Sequence, residues 1–157
     1  MLQKFQQKIN QSDMNWVTQN IDMLNLPFED GFTALQHAVL MNNVEISSLL
    51  IHQAGYQSLE GFSALMLAAS NDNTTIIPLL LQAEAGLVDC EGKSALIYAV
   101  EKQALNSIQI LIKYESNLVD RTGKSAISYT TNADIQDFLA QFEILRPTHE
   151  QFLEVFE

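Results

Sequence analysis

Along this chain, apolar positions fall in short helical runs separated by polar breaks. Laid against itself, the sequence superposes Gly31-Phe32-Thr33-Ala34-Leu35, Gly61-Phe62-Ser63-Ala64-Leu65, Gly92-Lys93-Ser94-Ala95-Leu96 and Gly123-Lys124-Ser125-Ala126-Ile127, so the glycines recur every 30 or 31 residues. After each glycine turn a first short helix is predicted, with Leu35, Ala38 and Val39, then Leu65, Ala68 and Ala69, then Leu96, Ala99 and Val100, and last Ile127 and Tyr129 inward. Polar breaks follow at Asn42-Asn43, Asn71-Asp72-Asn73, Lys102-Gln103 and Thr131-Asn132. Second helices then carry Ile46, Leu49 and Leu50; Ile76, Ile77, Leu80 and Leu81; Ile108, Leu111 and Ile112; Ile135, Phe138 and Leu139. Thr or Ser two residues after each glycine suits an N-cap, because its side-chain oxygen can accept a free helix-start N–H. A repeat of this length predicts a solenoid, whose units cannot bury their apolar faces alone.

The loops after the second helices read Gln53-Ala54-Gly55, Glu84-Ala85-Gly86 and Glu115-Ser116-Asn117, ending on residues that favour a left-handed helix terminus. Pro78 fits only in the first turn of its helix, with Thr74 or Thr75 as the cap. At the N-terminus, Leu2, Phe5 and Ile9 form one stripe, and Trp16, Val17, Ile21 and Leu24 a second. Residues 1–27 are thus expected to be a degenerate capping repeat, with Trp16 a core anchor. Residues 28–142 hold three full repeats and a C-terminal capping one. In the tail, 143–157, Thr148-His149-Glu150-Gln151 has the spacing of a capping box, and a short helix with Phe152, Leu153 and Phe156 either folds back or docks elsewhere.

The Gly-x-Thr-Ala-Leu start, paired short helices, Leu-Leu pair and terminal glycine resemble the ankyrin repeat, whose signature is Thr-Pro-Leu-His-x-Ala. The resemblance implies an all-α solenoid of stacked helix-turn-helix units with short hairpin loops. Proline is replaced by Ala34, Ala64, Ala95 and Ala126, and histidine by Gln36, Met66, Ile97 and Ser128. Those replacements imply loss of the family's turn-to-helix hydrogen bonds and lower stability than an idealised array.

Composition narrows the function. With 8 basic and 19 acidic residues the net charge is -11, which argues against nucleic-acid or anionic-membrane surfaces and is compatible with a basic protein partner. One cysteine, Cys90, makes no internal disulfide and sits beside Asp89 and Glu91, which disfavour a reactive thiolate. His37, His52 and His149 have no metal-ligand spacing, and no phosphate loop or nucleophile motif occurs. No catalytic, cofactor or metal residue is therefore expected, nor a small-molecule substrate. Without a signal-peptide stretch or a long apolar run, the expected location is cytoplasmic, with cytoskeletal association a possibility.

Partners of ankyrin repeats usually meet the turn tips and the concave ends of the first helices. Carried over position by position, that resemblance implies a protein-binding site of Glu29, Asp30, Phe32, Leu40, Met41, Glu60, Phe62, Glu91, Lys93 and Lys124. Phe32 and Phe62 are either exposed neighbouring anchors or packed against adjoining turns. Three functions fit: an adaptor or scaffold, a structural subunit of a cytoskeletal or ciliary assembly, or a small inhibitor of an enzyme such as a kinase.

Overall fold

The computed structural model describes residues 1–143, and the expected helix around Phe152, Leu153 and Phe156 lies outside them. The helices are α1 (Leu2–Asn10), α2 (Met14–Gln19), α3 (Ala34–Leu40), α4 (Val44–Leu49), α5 (Ala64–Ser70), α6 (Ile77–Glu84), α7 (Ala95–Glu101), α8 (Leu105–Glu115) and α9 (Ala133–Glu143). Single 3-10 turns occupy Ile21–Leu24, Ile51–Gln53 and Ala126–Tyr129, the last where a short α-helix was expected. Among the described residues the only β pairing is two isolated bridges, Val88 with Ser94 and Val119 with Ser125. The all-α solenoid read from the sequence is the architecture found.

Each of the first four helix pairs turns on one residue with positive φ: Ser12 at 48°, Asn42 at 53°, Asp72 at 54° and Gln103 at 55°. Around Asn42 the N–H of Asn42 reaches Val39 O at 2.9 Å and that of Asn43 reaches Ala38 O at 3.0 Å. These two bonds satisfy helix-end carbonyls in the Schellman arrangement. The same pair recurs at Ser12 and Asp13, whose N–H groups reach Ile9 O and Lys8 O. The N-terminal helix pair therefore turns by the same chemistry as the clear repeats.

The first helices stack in chain order, α1 on α3, α3 on α5, α5 on α7, and α7 on the Ala126–Tyr129 turn, while α2, α4, α6, α8 and α9 each pack behind their own partner. Close approach rests on small side chains, since Ala38, Ala68, Ala69 and Ala99 are fully buried beside Leu35, Leu65 and Leu96. Side chains then tie neighbours together. Asn43 donates to Ile9 O at 3.0 Å, and Asn73 donates to Val39 O at 2.9 Å, the same bond one repeat later.

The helix starts depart from expectation. Thr33 and Ser63 cap α3 and α5, but Ser94 makes no side-chain cap on α7. Pro78 does lie in the first turn of α6, yet neither threonine caps it; Asn73 O takes the N–H of both Ile76 and Ile77 instead. Asn117 is not left-handed, whereas Gly55 and Gly86 are. Gln36 rebuilds the link that the missing histidine put in doubt: its Oε1 accepts Thr33 N–H at 2.8 Å and its Nε2 donates to Phe62 O of the next repeat at 2.7 Å. Met66 offers only a sulfur contact of 3.5 Å to Ser63 N.

The turn-tip face

Four hairpin tips project between the helix pairs, each closed by a backbone bond: Phe28 N to Phe32 O, Ser58 N to Phe62 O, Asp89 N to Lys93 O and Asp120 N to Lys124 O. The later tips are also bonded to each other, Cys90 N to Glu60 O and Arg121 N to Glu91 O, both at 3.0 Å. They press so close that a Cβ on Gly61 would lie 2.7 Å from Asp89 Cα, and one on Gly92 2.6 Å from Arg121 N. No such bond joins the first tip to the second, and a Cβ on Gly31 would meet nothing within 4 Å. There the tips splay around a cleft of about 590 Å³ lined by Phe28, Glu29, Asp30, Phe32, Tyr56, Leu59 and Glu60, among others.

The third and fourth tips are built on aspartates. Asp89 Oδ1 accepts the N–H groups of Glu91 and Lys93, both at 2.8 Å, and Oδ2 accepts the Tyr98 hydroxyl at 2.5 Å. Asp120 repeats this with Thr122, Lys124 and Tyr129. The Tyr129 hydroxyl holds the Asp120 carboxyl well below the carboxylate range, and Asp120 in turn pushes Tyr129 up to about 12. Burial, followed by Asp89, raises the Tyr98 hydroxyl as well. Lys93 bridges Glu101 at 2.9 Å and Glu91 at 3.2 Å and lies 5.9 and 5.3 Å from the ring centroids of Tyr98 and Tyr129. Glu101 foremost raises its pKa.

The first two tips use aromatics instead. Phe28 and Phe32 meet His37 edge-on at 5.4 and 5.9 Å, Phe32 meets Phe62 at 6.4 Å, and Phe62 meets Tyr98 at 5.6 Å. Phe32 and Phe62 are thus neighbours, but half-buried and packed on the core rather than free-standing. His37 is buried, with Nε2 2.9 Å from Asp30 Oδ2 but not aligned as a hydrogen bond.

Of the expected site residues, Glu29, Asp30, Phe32 and Glu60 line the wide cleft, and Glu60, Phe62, Glu91 and Lys93 line a second of about 370 Å³ with Cys90 and Tyr98. Leu40 and Met41 are exposed at the end of α3, and Lys124 is exposed on the last tip; none of the three lines either cleft. Sequence reasoning passed over Phe28 and Tyr56, loop residues outside the repeated Gly-x-Thr-Ala-Leu segment. Among the described residues no group of His, Cys, Asp and Glu is placed to hold a metal, and no helix is long and apolar enough to cross a membrane.

Stacked helix pairs presenting a row of hairpin tips define a helical repeat protein. The family model for ankyrin repeats in three copies matches residues 4–85 and again 65–144, and the chain belongs to the ankyrin-repeat family. Proteins of this family are in general protein-interaction modules rather than catalysts. No curated protein matches the chain in sequence.

Proposed function

We propose that the chain is a non-catalytic adaptor or scaffold that holds a protein partner on its turn tips and the adjoining ends of α3, α5 and α7. The observation that carries this reading is the open junction of the first two tips. It combines a wide cleft, half-buried aromatics and a leucine, Leu59, that is 98% exposed at its edge. Large apolar side chains beside rim charges are the make-up of an interaction surface. Phe62, Glu91, Lys93 and Lys124 extend the surface along the later tips, and Leu40 and Met41 extend it along α3.

The test is affinity capture from native extract followed by hydrogen exchange on the complex. Protection at residues 28–32 and 58–62 is the expected result. Protection confined to α4, α6 and α8 would move the site to the opposite face. A structural-subunit role draws on exposed Leu79, Leu105 and Tyr114 on the second helices, and predicts protection on both faces.

A further inference from the structure

The third tip supplies its own cation to a setting of carboxylates and rings: Lys93 sits between Glu91 and Glu101 and over Tyr98 and Tyr129. The cleft between the first two tips has the same kind of surroundings without a cation. Phe28, Phe32 and Tyr56 form its aromatic lining and Glu29, Asp30 and Glu60 its carboxylates. Phe32 and Phe62 occupy the positions that Lys93 and Lys124 hold later in the repeat. Between Lys8 and Lys93 the sequence contains no lysine or arginine at all. Among the described residues, none pairs with Glu29, Asp30 or Glu60. Asp30 already accepts the Phe32 N–H on Oδ1 and has His37 Nε2 2.9 Å from Oδ2, whereas exposed Glu29 and Glu60 have neither kind of neighbour and form the open pair.

The backbone is open too. By the pattern of the later tips, Leu59 N–H would bond Asp30 C=O, and it does not. An extended chain entering the cleft finds a free donor on one wall and a free acceptor on the other, as strand addition requires.

We propose that this cleft takes a basic, extended segment of a partner protein, seating an arginine side chain between the aromatic lining and the Glu29 and Glu60 carboxylates. Arginine fits better than lysine because its planar guanidinium stacks on rings, sheds water more readily and engages carboxylates through a fork of donors. Leu59 then covers the aliphatic part of the segment. The inference rests on the tip face being the binding face and adds the chemistry of the partner.

The probe is an acetylated, amidated glycine-serine hexapeptide carrying one central arginine, with lysine and citrulline counterparts, titrated into the isotopically labelled full chain. With the arginine peptide, amide shifts are expected at Gly31, Leu59 and Glu60. The lysine peptide binds more weakly, and the citrulline peptide leaves those amides unmoved. The double substitution Glu29→Gln and Glu60→Gln, at exposed positions that leave the fold intact, lowers arginine-peptide affinity by about 3- to 10-fold. Equal shifts from arginine and citrulline peptides, shifts confined to other tips, or no shifts would overturn the proposal. If partner-induced protection of residues 28–32 and 58–62 persists in that case, the tip-face reading survives alone; if that protection is absent, both readings fall.

Discussion

Glu84, at the end of α6, accepts the N–H of Leu65 in the first turn of α5 at 2.6 Å, although both groups are buried. Its other oxygen accepts Gly55 N–H at 2.8 Å, so a single carboxylate joins one repeat's two helices to the loop of the repeat before. Glu115 repeats the arrangement with Leu96 and Gly86, at 2.7 and 3.0 Å. Gln53 occupies the same place in the first clear repeat, accepting Leu35 N–H at 3.0 Å, but there the second partner is Leu24 C=O and the Gln53 amide donates to it at 2.8 Å.

The side chain at this position therefore matches the polarity of its second partner. Glu84→Gln turns an NH2 toward the Gly55 N–H, and Gln53→Glu turns a carboxylate oxygen toward the Leu24 carbonyl. Each leaves a partly or fully buried group unsatisfied and is expected to cost about 1–3 kcal/mol. Urea midpoints of the two variants check this. Either one matching the wild type would show that the group is not bonded as described.

Burial raises both Glu84 and Glu115 above their ordinary value of 4.5, against the pull of the N–H donors. The native state then takes up these protons at a higher pH than the unfolded chain. Their contribution to stability is full below 4.5 and is lost as pH rises through the raised values. Asp120, lowered mainly by Tyr129, and Asp72, where bonds from Asn106 and Ser107 outweigh burial, do the reverse, losing stability as pH falls below 3.8. Urea unfolding from pH 3 to 8 should show greatest stability at roughly pH 4–5. Glu84→Gln with Glu115→Gln should flatten the fall toward neutral pH, and an unchanged slope would assign that fall to the net charge of -11 alone.

The repeat glycines, the inward faces of the helices and the positions of the tips were all legible in one dimension. The buried glutamates were not, because their partners lie 19 and 29 residues away and a polar residue beside a terminal glycine reads as loop. The recurrence of Gln53, Glu84 and Glu115 at 31-residue spacing was the available signal. The splay of the first two tips was hidden for another reason: Gly31 and Gly61 look identical in sequence and differ only in what stands beside them.

That difference is measurable. Both glycines have positive φ, at 81° and 87°, so alanine at either costs about 1–2 kcal/mol of backbone strain. At Gly61 the new Cβ also collides with Asp89 and Cys90 backbone and displaces the bond from Cys90 N to Glu60 O. Gly61→Ala should therefore be worse than Gly31→Ala by about 1 kcal/mol or more. Equal losses in thermal denaturation would mean that the second and third tips do not press together.

The aromatic tips separate binding from folding in a way that the variants can resolve. Phe62 packs between Phe32 and Tyr98, at 6.4 and 5.6 Å, so replacing Phe32 and Phe62 together with alanine strips part of the core edge as well as the cleft. That double variant should lose stability, about 2–4 kcal/mol for two partly buried rings, along with partner affinity. Leu59, 98% exposed, touches the fold little, so Leu59→Ala should keep the wild-type midpoint and weaken only binding. If Leu59 anchors the partner, its loss costs about 1–2 kcal/mol, or roughly 5- to 30-fold in Kd. Salt dependence distinguishes the carboxylates from the apolar groups. A contact held by Glu29 and Glu60 weakens as ionic strength rises, since exposed pairs are screened within about 10 Å at 0.1 M salt, whereas the contribution of Leu59 persists. Melting curves and partner titrations on the same three proteins across a salt series give both quantities at once. Wild-type affinity in a folded Leu59→Ala variant at every salt concentration would place the partner away from the junction of the first two tips.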